Sequence, residues 1–475
     1  MKNVWKKLAA LIVAATALIS CTACSQESQV INAYDIAVKN GFVGTEQDWL
    51  LSLKGANGED GDDLDINDLY EAAKEDGFEG TLMEFIQSLS VSVQENNATN
   101  IISQNLTSVV SITCGFIQTT VTGTYFPKEE KKVGGSEGSG VVVHLEKNRG
   151  VAYIVTNYHV VYNVNSDDGI SPYIWIYPYG ARDTFTKGDI DNGVPPGDAT
   201  NGDGIRATFI GGAMDYDIAL LQVNSEEIKT SVLTEARVGD SNSVTVGEKT
   251  FVIGNARGRG LSATSGILSV DSENIAMKSS DALRDVTYRV MRTDAPINNG
   301  NSGGGLFNAE GDLIGIINAK TITENTDAMG YALPITQVKY VLQNIWDHKT
   351  ATTAGYVARA VMGIETYIQH SKAVLSSDNK LKIEEEFLVS KVLTQGAVGK
   401  GNPTAFKVGD LFVSMTHNGV TTKLTRRYLF NDLLLNVRKG DTVVFTVLRE
   451  GAYSGKTQVQ VPITFDKDEY FSIFA

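Results

Sequence analysis

Three short segments hold residue types that together could carry out nucleophilic chemistry. Thr156-Asn-Tyr-His-Val-Val161 sets His159 just after an apolar run, and Asp215-Tyr-Asp-Ile-Ala-Leu-Leu221 sets Asp217 at the head of another. Asn298-Asn-Gly-Asn-Ser-Gly-Gly-Gly305 sets Ser302 in a glycine-rich loop. A serine hydroxyl attacks a carbonyl efficiently only when an imidazole takes its proton. A carboxylate must also hold that imidazole in one tautomer, and backbone N–H groups must face the oxyanion that develops. Glycines beside the nucleophile let the chain turn its N–H groups toward one point. The order His, Asp, Ser runs with gaps of 58 and 85 residues. Asp215 competes with Asp217 for the carboxylate role, and the apolar-Ala-apolar-Leu run directly after Asp217 favours the latter.

Such residues need a rigid frame, and the surrounding pattern is that of an antiparallel β protein. From about Ile101, short apolar runs alternate with glycine-rich turns: Gly138-Ser-Gly-Val-Val-Val-His144, Val151-Ala-Tyr-Ile-Val-Thr156, Asp217-Ile-Ala-Leu-Leu-Gln-Val223 and Lys249-Thr-Phe-Val-Ile-Gly254. The 46 glycines against 9 prolines match many tight turns. His144 falls inside one of the runs and is expected to be structural.

On these residues the chain resembles the high-temperature-requirement (HtrA/DegP-like) family of trypsin-fold serine proteases, whose triad follows the same chain order. Further blocks carry the likeness: Val238-Gly-Asp-Ser241, Gly247-Glu-Lys-Thr-Phe-Val-Ile-Gly-Asn255, Thr264-Ser-Gly-Ile-Leu-Ser269, Arg292-Thr-Asp-Ala-Pro-Ile-Asn298 and Gly330-Tyr-Ala-Leu-Pro-Ile335. The resemblance implies a mainly β, chymotrypsin-like double β-barrel over residues 101–347, with six strands in each barrel and the triad between them. It implies His159 as general base, Asp217 as its orienting acid and Ser302 as nucleophile. The N–H groups of Gly300 and Ser302 would form the oxyanion hole, with no metal or organic cofactor. Relatives that cleave after Lys or Arg carry an Asp six residues before the nucleophile. Here that specificity-pocket position is Pro296.

The chain also departs from the family pattern. Asn299 and Gly305 stand where proline is usual, which predicts a looser loop around the nucleophile. An insertion at about 187–204 is rich in Asp, Asn and Gly. Its Asp189, Asp191, Asp198 and Asp203 read either as a calcium loop or as a solvated excursion.

Residues 355–466 resemble a PDZ domain, an α/β module that takes an extended peptide onto a sheet edge and holds its C-terminal carboxylate on loop N–H groups. The matching pieces are Val361-Met-Gly-Ile364, Val389-Ser-Lys-Val-Leu-Thr-Gln-Gly-Ala397, Phe406-Lys-Val-Gly-Asp-Leu-Phe-Val413 and Gly440-Asp-Thr-Val-Val-Phe-Thr-Val447. Val361, Met362 and Gly363 would form the carboxylate loop and Ile364 would open the binding strand. Residues 428–437 would form the helix beside the groove. A PDZ domain used only for assembly or docking is the competing reading. The family layout implies a homo-oligomer, a trimer by resemblance.

The N-terminus points outside the cytoplasm. Residues 1–20 carry Lys2, Lys6 and Lys7, then an apolar run from Leu8 to Ile19 too short to span a bilayer comfortably. Leu18-Ile19-Ser20-Cys21 resembles a bacterial lipobox, which predicts lipidation of Cys21 and an extracytoplasmic, membrane-anchored protein. Residues 21–100 form an acidic arm and linker. Within them Gly41-Phe-Val-Gly-Thr45 recurs 36 residues later as Gly77-Phe-Glu-Gly-Thr81, and Tyr34 recurs as Tyr70. Thr45 and Thr81 read as helix N-caps, so each unit reads as a small helical hairpin. Residues 34–89 hold fourteen acids and three lysines. That run reads as a solvated face or as a spacer repelled from an anionic membrane.

Overall composition closes several other classes. With 41 basic against 56 acidic residues and a net charge of −15, phosphate neutralisation is not available broadly and nucleic acid is excluded as a partner. Three cysteines exclude a disulfide framework and a multi-cysteine zinc site. What remains is a membrane-tethered endopeptidase for unfolded or misfolded exported proteins. Its alternative is a catalytically silent chaperone or peptide-binding protein on the same fold. With no carboxylate at Pro296 a cationic side chain would lose its counter-charge on entry. A panel of fluorogenic peptides is therefore expected to show preferred cleavage after small or medium apolar residues, and preference for Arg would refute the assignment.

Overall fold

The computed structural model describes residues 98–474 apart from 124, 126, 189–194, 199–202, 319–329, 377–378 and 452–454, together with 38, 70–71, 73–74 and 80–82. The export segment, Cys21 and most of the duplicated arm lie outside the described residues, as do Asp189 and Asp191. Among the described residues no helix is long and apolar enough to cross a membrane. The chain divides into two units, 1–94 and 95–475. In the first, Tyr70, Glu71, Ala73 and Lys74 are helical. The Tyr70 hydroxyl donates to the Gly80 carbonyl at 2.9 Å, which ties the repeated tyrosine to the repeated glycine.

The second unit begins with helix α1 (Ala98–Leu106), followed by eight strands: β1 (Val109–Thr122), β2 (Lys128–Glu146), β3 (Val151–Thr156), β4 (Tyr173–Tyr177), β5 (Phe185–Thr186), β6 (Gly197–Asp198), β7 (Ile205–Ala213) and β8 (Ile218–Asn224). Six close into a barrel in the order β1-β2-β3-β8-β7-β4, and β5 pairs with β6 outside it. Strand β3 is buried at five of six positions, so its sequence shows no polar alternation. Alternation needs one solvated face, and here the outer face is covered as well. The barrel interior is filled by Val110, Ile112, Ile154, Ile176, Leu221 and Val223. Cys114 is also buried there, and burial pushes its thiol up. Beyond Phe116, β1 and the first half of β2 leave the barrel as an exposed ribbon.

The second barrel contains β9 (Lys249–Gly254), β10 (Ser262–Lys278), β11 (Asp285–Thr293), β12 (Gly305–Phe307), β13 (Leu313–Asn318) and β14 (Gly330–Pro334). These close in the order β10-β11-β14-β13-β12-β9. Two six-stranded barrels agree with the fold expected from the sequence. Val109, Val155 and Leu220 of the first barrel share one apolar cluster with Phe251, Ile253 and Phe307 of the second. Fully burying each such side chain contributes about 1.5–3 kcal/mol, so the seam between the barrels is a core and not a hinge.

Helix α2, a single turn over Tyr158–Val161, follows β3, and helix α3 (Ile335–His348) follows the second barrel. The C-terminal module has a sheet ordered β16-β17-β18-β20-β21: β16 (Ile364–Leu375), β17 (Leu381–Val392), β18 (Leu411–His417), β20 (Thr442–Glu450) and β21 (Lys456–Thr464). The short β19 (Val420–Lys423) pairs with β18. Helix α4 (Arg427–Leu433) turns Phe430 into a cluster with Phe387, Phe412 and Phe445, ring centroids 5.1–6.1 Å apart. A separate antiparallel pair, β15 (Val357–Ala360) and β22 (Phe471–Phe474), packs toward the barrels, with Val357 in the same apolar cluster as Val155 and Phe251. Strand β22 lies past the boundary at 466 expected from sequence, and its register runs from Phe474 against Val357 to Phe471 against Ala360.

Barrels and module are joined by more than a linker. Gly355 N–H donates to Ile210 and Gly212 N–H to Gly355, and a Cβ on Gly211 would meet the Gly355 carbonyl at 2.5 Å. Asn344 on α3 donates to Leu435 and accepts from the Ala358 N–H. The Arg289 guanidinium of β11 pairs with the Asp432 carboxylate of α4, both nearly inaccessible, and stacks 3.6 Å over the Tyr428 ring. Gln337 adds a bond to Asp432 at 3.0 Å. Burial nonetheless outweighs these partners and pushes the Asp432 carboxyl up to about 6. Removing one member of a buried pair leaves the other uncompensated. Arg289→Met is expected to destabilise the protein by about 3–5 kcal/mol in chemical denaturation, and the double change Arg289→Met/Asp432→Leu should recover most of that loss. A single variant as stable as wild type would show that the pair is not coupled in this way.

Candidate active site

The site forms where the barrels meet. His159 sits on α2, one turn beyond β3, with Asn157 before it. Asp217 ends the short turn between β7 and β8 in a left-handed conformation, φ +50° and ψ 41°, which Asp tolerates better than bulkier residues. Ser302 lies in the loop between β11 and β12 and is buried except for a small exposed fraction. The structure brings the three side chains into contact. His159 Nδ1 is 2.7 Å from Asp217 Oδ2, and His159 Nε2 is 3.0 Å from Ser302 Oγ. An ionised carboxylate only accepts, so Nδ1 carries the ring proton and Nε2 is left to accept the Ser302 hydroxyl proton.

Asp217 is fully buried and every further contact orients it. Its Oδ1 accepts from the His159 backbone N–H at 3.0 Å and from Ser280 Oγ at 3.3 Å. Its Oδ2 also accepts from Asn318 Nδ2 at 3.0 Å, and its backbone carbonyl accepts from Asn157 Nδ2 at 3.0 Å. Asp215, the competing acid, faces elsewhere and pairs with Arg284 at 3.1 Å. Burial raises its carboxyl above the ordinary range despite that guanidinium. Asn318 and Ser280 were not visible as site residues in the sequence. They reach Asp217 from 101 and 63 residues away, and no local motif marks such a partner.

The nucleophile loop is shaped by backbone. Gly300 and Gly303 have φ +95° and +83°, and a Cβ on Gly303 would meet the Ser139 carbonyl at 2.1 Å. Asn299 and Gly305, which stand where proline is usual in the family, both make contacts. The Asn299 carbonyl accepts from Arg257 N–H at 2.7 Å. Gly305 pairs with both Ile253 and Ile316, where a Cβ would meet the Phe307 ring at 2.4 Å. Pro296 is exposed, and its carbonyl accepts from Thr264 Oγ1 at 2.9 Å, while its neighbour Ile297 turns into the second barrel's core.

The remaining sequence-predicted positions separate into two groups. His144 is on β2, with an exposed ring stacked 5.9 Å from Tyr153 and its nitrogens near Glu146 and Glu235. In the insertion, Asp203 is committed to Arg182, accepting from its backbone N–H at 3.0 Å, and Asp198 lies on β6. Among the described residues no three His, Cys, Asp or Glu side chains converge as a metal site. In the C-terminal module the carbonyls of Val361, Met362 and Gly363 accept from Ala397, Val398 and Leu393 at 2.8–2.9 Å. In trans peptides C=O and N–H point oppositely, so these carbonyl bonds turn the N–H groups of Met362, Gly363 and Ile364 away from their carbonyls' acceptor contacts. Gly363 has φ +79°, and Ile364 opens β16, which among the described residues is an edge strand paired with β17.

A model of the trypsin-like peptidase domain matches residues 138–316. The Serine protease Do-like HtrA of Lactococcus lactis subsp. cremoris (strain MG1363) is 28% identical over 324 residues, covering 66% of this chain and 68% of that protein. The periplasmic serine endoprotease DegP of Escherichia coli (strain K12) is 28% identical over 289 residues, covering 60% of this chain and 49% of its own length. A solved structure of the HtrA-type protease AlgW with a decapeptide overlaps 79% of this chain and 98% of that one, at 21% identity and a TM-score of 0.46.

The contacts separate the two acids by experiment. Asp217→Asn keeps the shape but offers His159 an amide that can favour the wrong tautomer, and kcat on a peptide substrate is expected to fall about 10⁴-fold. Asp215→Asn should stay within about tenfold, since it loses only the contact to Arg284. The reverse ranking would reassign the acid.

Proposed function

We propose that this chain, an HtrA-like serine endopeptidase of trypsin fold, is a lipid-anchored extracytoplasmic protease that cleaves unfolded or misfolded exported proteins. The observation that carries the reading is the unbroken line from Asp217 through His159 to Ser302, with contacts of 2.7 and 3.0 Å. In the proposed reaction His159 Nε2 takes the Ser302 proton as Oγ attacks the scissile carbonyl. Asp217 holds the imidazolium that forms. The Gly300 and Ser302 N–H groups receive the oxyanion, and each such donor contributes about 2.7–4 kcal/mol to the transition state. His159 then protonates the leaving amine, the C–N bond breaks, and an acyl group remains on Ser302. Water, deprotonated by His159, releases the acid and restores the serine.

Two accessory roles complete the proposal. The carboxylate of a C-terminal peptide is read as lying in the Val361–Ile364 loop while its backbone adds to the free edge of β16. The fixed carbonyls of Val361, Met362 and Gly363 and the edge position of β16 among the described residues support this. Such a peptide alters the protease only if it binds two states of it differently, and the contacts from α4 to β11 and α3 provide a physical link. Lipidation at Cys21, the acidic spacer and assembly as a homo-oligomer belong to the same reading and rest on the sequence and its resemblance, while an extracytoplasmic setting is also supported by the name of the periplasmic relative DegP.

A fluorophosphonate probe tests the central claim. Wild type is expected to label and Ser302→Ala to remain unlabelled. Adding a C-terminal peptide should change the labelling rate, and Gly363→Val should abolish that change. Wild-type protein that stays unreactive with and without peptide would favour the silent-chaperone alternative and refute the protease reading.

A further inference from the structure

The Gly138-Ser-Gly140 segment that opens the protease domain has so far only marked a strand. Ser139 is fully buried, 161 residues from the nucleophile loop, and its hydroxyl makes two bonds. It donates to the Gly300 carbonyl at 2.7 Å and accepts from the Asn255 N–H at 2.8 Å. Its backbone N–H donates to the Ser302 carbonyl at 2.8 Å, and its carbonyl accepts from Thr156 Oγ1 at 2.7 Å. One residue of the first barrel thus holds the carbonyls of Gly300 and Ser302, the two residues of the proposed oxyanion hole, and also the 255–260 turn packed against them. That turn is closed on itself by Gly260 N–H to Asn255 Oδ1 at 2.8 Å.

The turn matters because of peptide orientation. Asn298 accepts from Asn301 N–H at 3.0 Å, and Gly300 at φ +95° makes this a type II turn. Its central peptide carries both the Asn299 carbonyl and the Gly300 N–H. In a trans peptide these point in opposite directions, so the Arg257 N–H that holds the Asn299 carbonyl also aims the Gly300 N–H away from the 255–260 turn. A type I turn would flip that peptide and aim the N–H the other way. Arg257 can hold the carbonyl only if its own turn stays seated, and the seat is Asn255 on Ser139 Oγ. A Cβ on Gly300 would meet the Asn255 carbonyl at 2.2 Å, so turn and loop are in direct contact.

We infer that Ser139 is a positioning residue for the oxyanion hole, its hydroxyl seating the 255–260 turn and the Gly300 peptide together so that the Gly300 N–H faces the reacting carbonyl. The inference rests on the proposed protease reading. A lost hydroxyl would leave the Asn255 N–H and the Gly300 carbonyl unpaired in a buried place, which favours rearrangement of the turn. The nucleophile–base pair does not pass through Ser139, so the loss should fall on transition-state stabilisation alone.

The test compares wild type, Ser139→Ala and the near-isosteric Ser139→Cys, whose thiol is a weak donor, on one fluorogenic peptide with an apolar residue before the scissile bond. Expected are a fall in kcat of at least about tenfold in both variants, KM within about twofold, and an unshifted midpoint on the acid limb of the pH profile. Wild-type kcat in both variants would overturn the inference and leave the protease reading intact. A shifted pH midpoint, or a loss confined to KM, would also overturn it, because the effect would then lie in the base or in substrate binding. Loss of the cooperative thermal transition in both variants would assign Ser139 to folding instead. An inactive wild type would remove the protease reading itself, and this inference with it.

Discussion

The structure is organised around one buried carboxylate. Asp217 has no access to water, and an isolated charge there would cost far more than the fold can supply. It persists because four donors converge on its oxygens: His159 twice, Asn318 and Ser280. Those donors come from β3's following turn, from the end of β13 and from the tip of the β10–β11 hairpin, so both barrels must be closed and correctly docked for the carboxylate to be satisfied. The same arrangement leaves His159 with a single available nitrogen directed at Ser302. In the proposed mechanism folding and chemistry are thereby coupled, since the interaction that makes the Asp217 carboxylate tolerable also selects the His159 tautomer.

Around that centre the backbone does work that side chains cannot. Gly303 lies against Ser139 and Thr156, Gly300 against Asn255, and Gly363 against Gln395, each at positive φ and each with no room for a Cβ. Where the chain must aim N–H groups outward, its carbonyls are fixed inward by named donors, at Asn299 by Arg257 and at Val361 to Gly363 by the 393–398 segment. The nucleophile loop and the proposed carboxylate loop use this device independently. Between them, α3 and α4 carry polar contacts and the buried Arg289–Asp432 pair, so the C-terminal module is seated on the second barrel rather than tethered by its linker.

The acidic charge that dominates the composition belongs to a different part of the chain from the chemistry. The fourteen acids of residues 34–89 precede the barrels, and within that stretch Tyr70 bonds to Gly80. In the second unit, several acids are engaged with basic groups, as at Asp410 with the Arg449 guanidinium, Asp347 with that of Arg438 and Asp441 with the His417 ring. Such pairs orient loops more than they stabilise, particularly at the surface.

What could be read from sequence was local. His159, Asp217 and Ser302 each sit in a motif of about half a dozen residues, and short apolar runs between glycines follow directly from strand geometry, so candidate chemistry and β class were both legible. The preference for Asp217 over Asp215 also came from its immediate neighbours. Only the tertiary structure decided what depends on long-range pairing: Asn318 and Ser280 on Asp217, Ser139 on Gly300, the carbonyl of Asn299 on Arg257, and the final strand to Phe474 paired with Val357–Ala360. A hydrogen bond across 60 to 160 residues leaves no period or spacing in the chain, because its partner is chosen by how the barrels close. Residue types and their order were therefore set by the sequence itself, whereas their orientation was set by the packed seam between the two barrels.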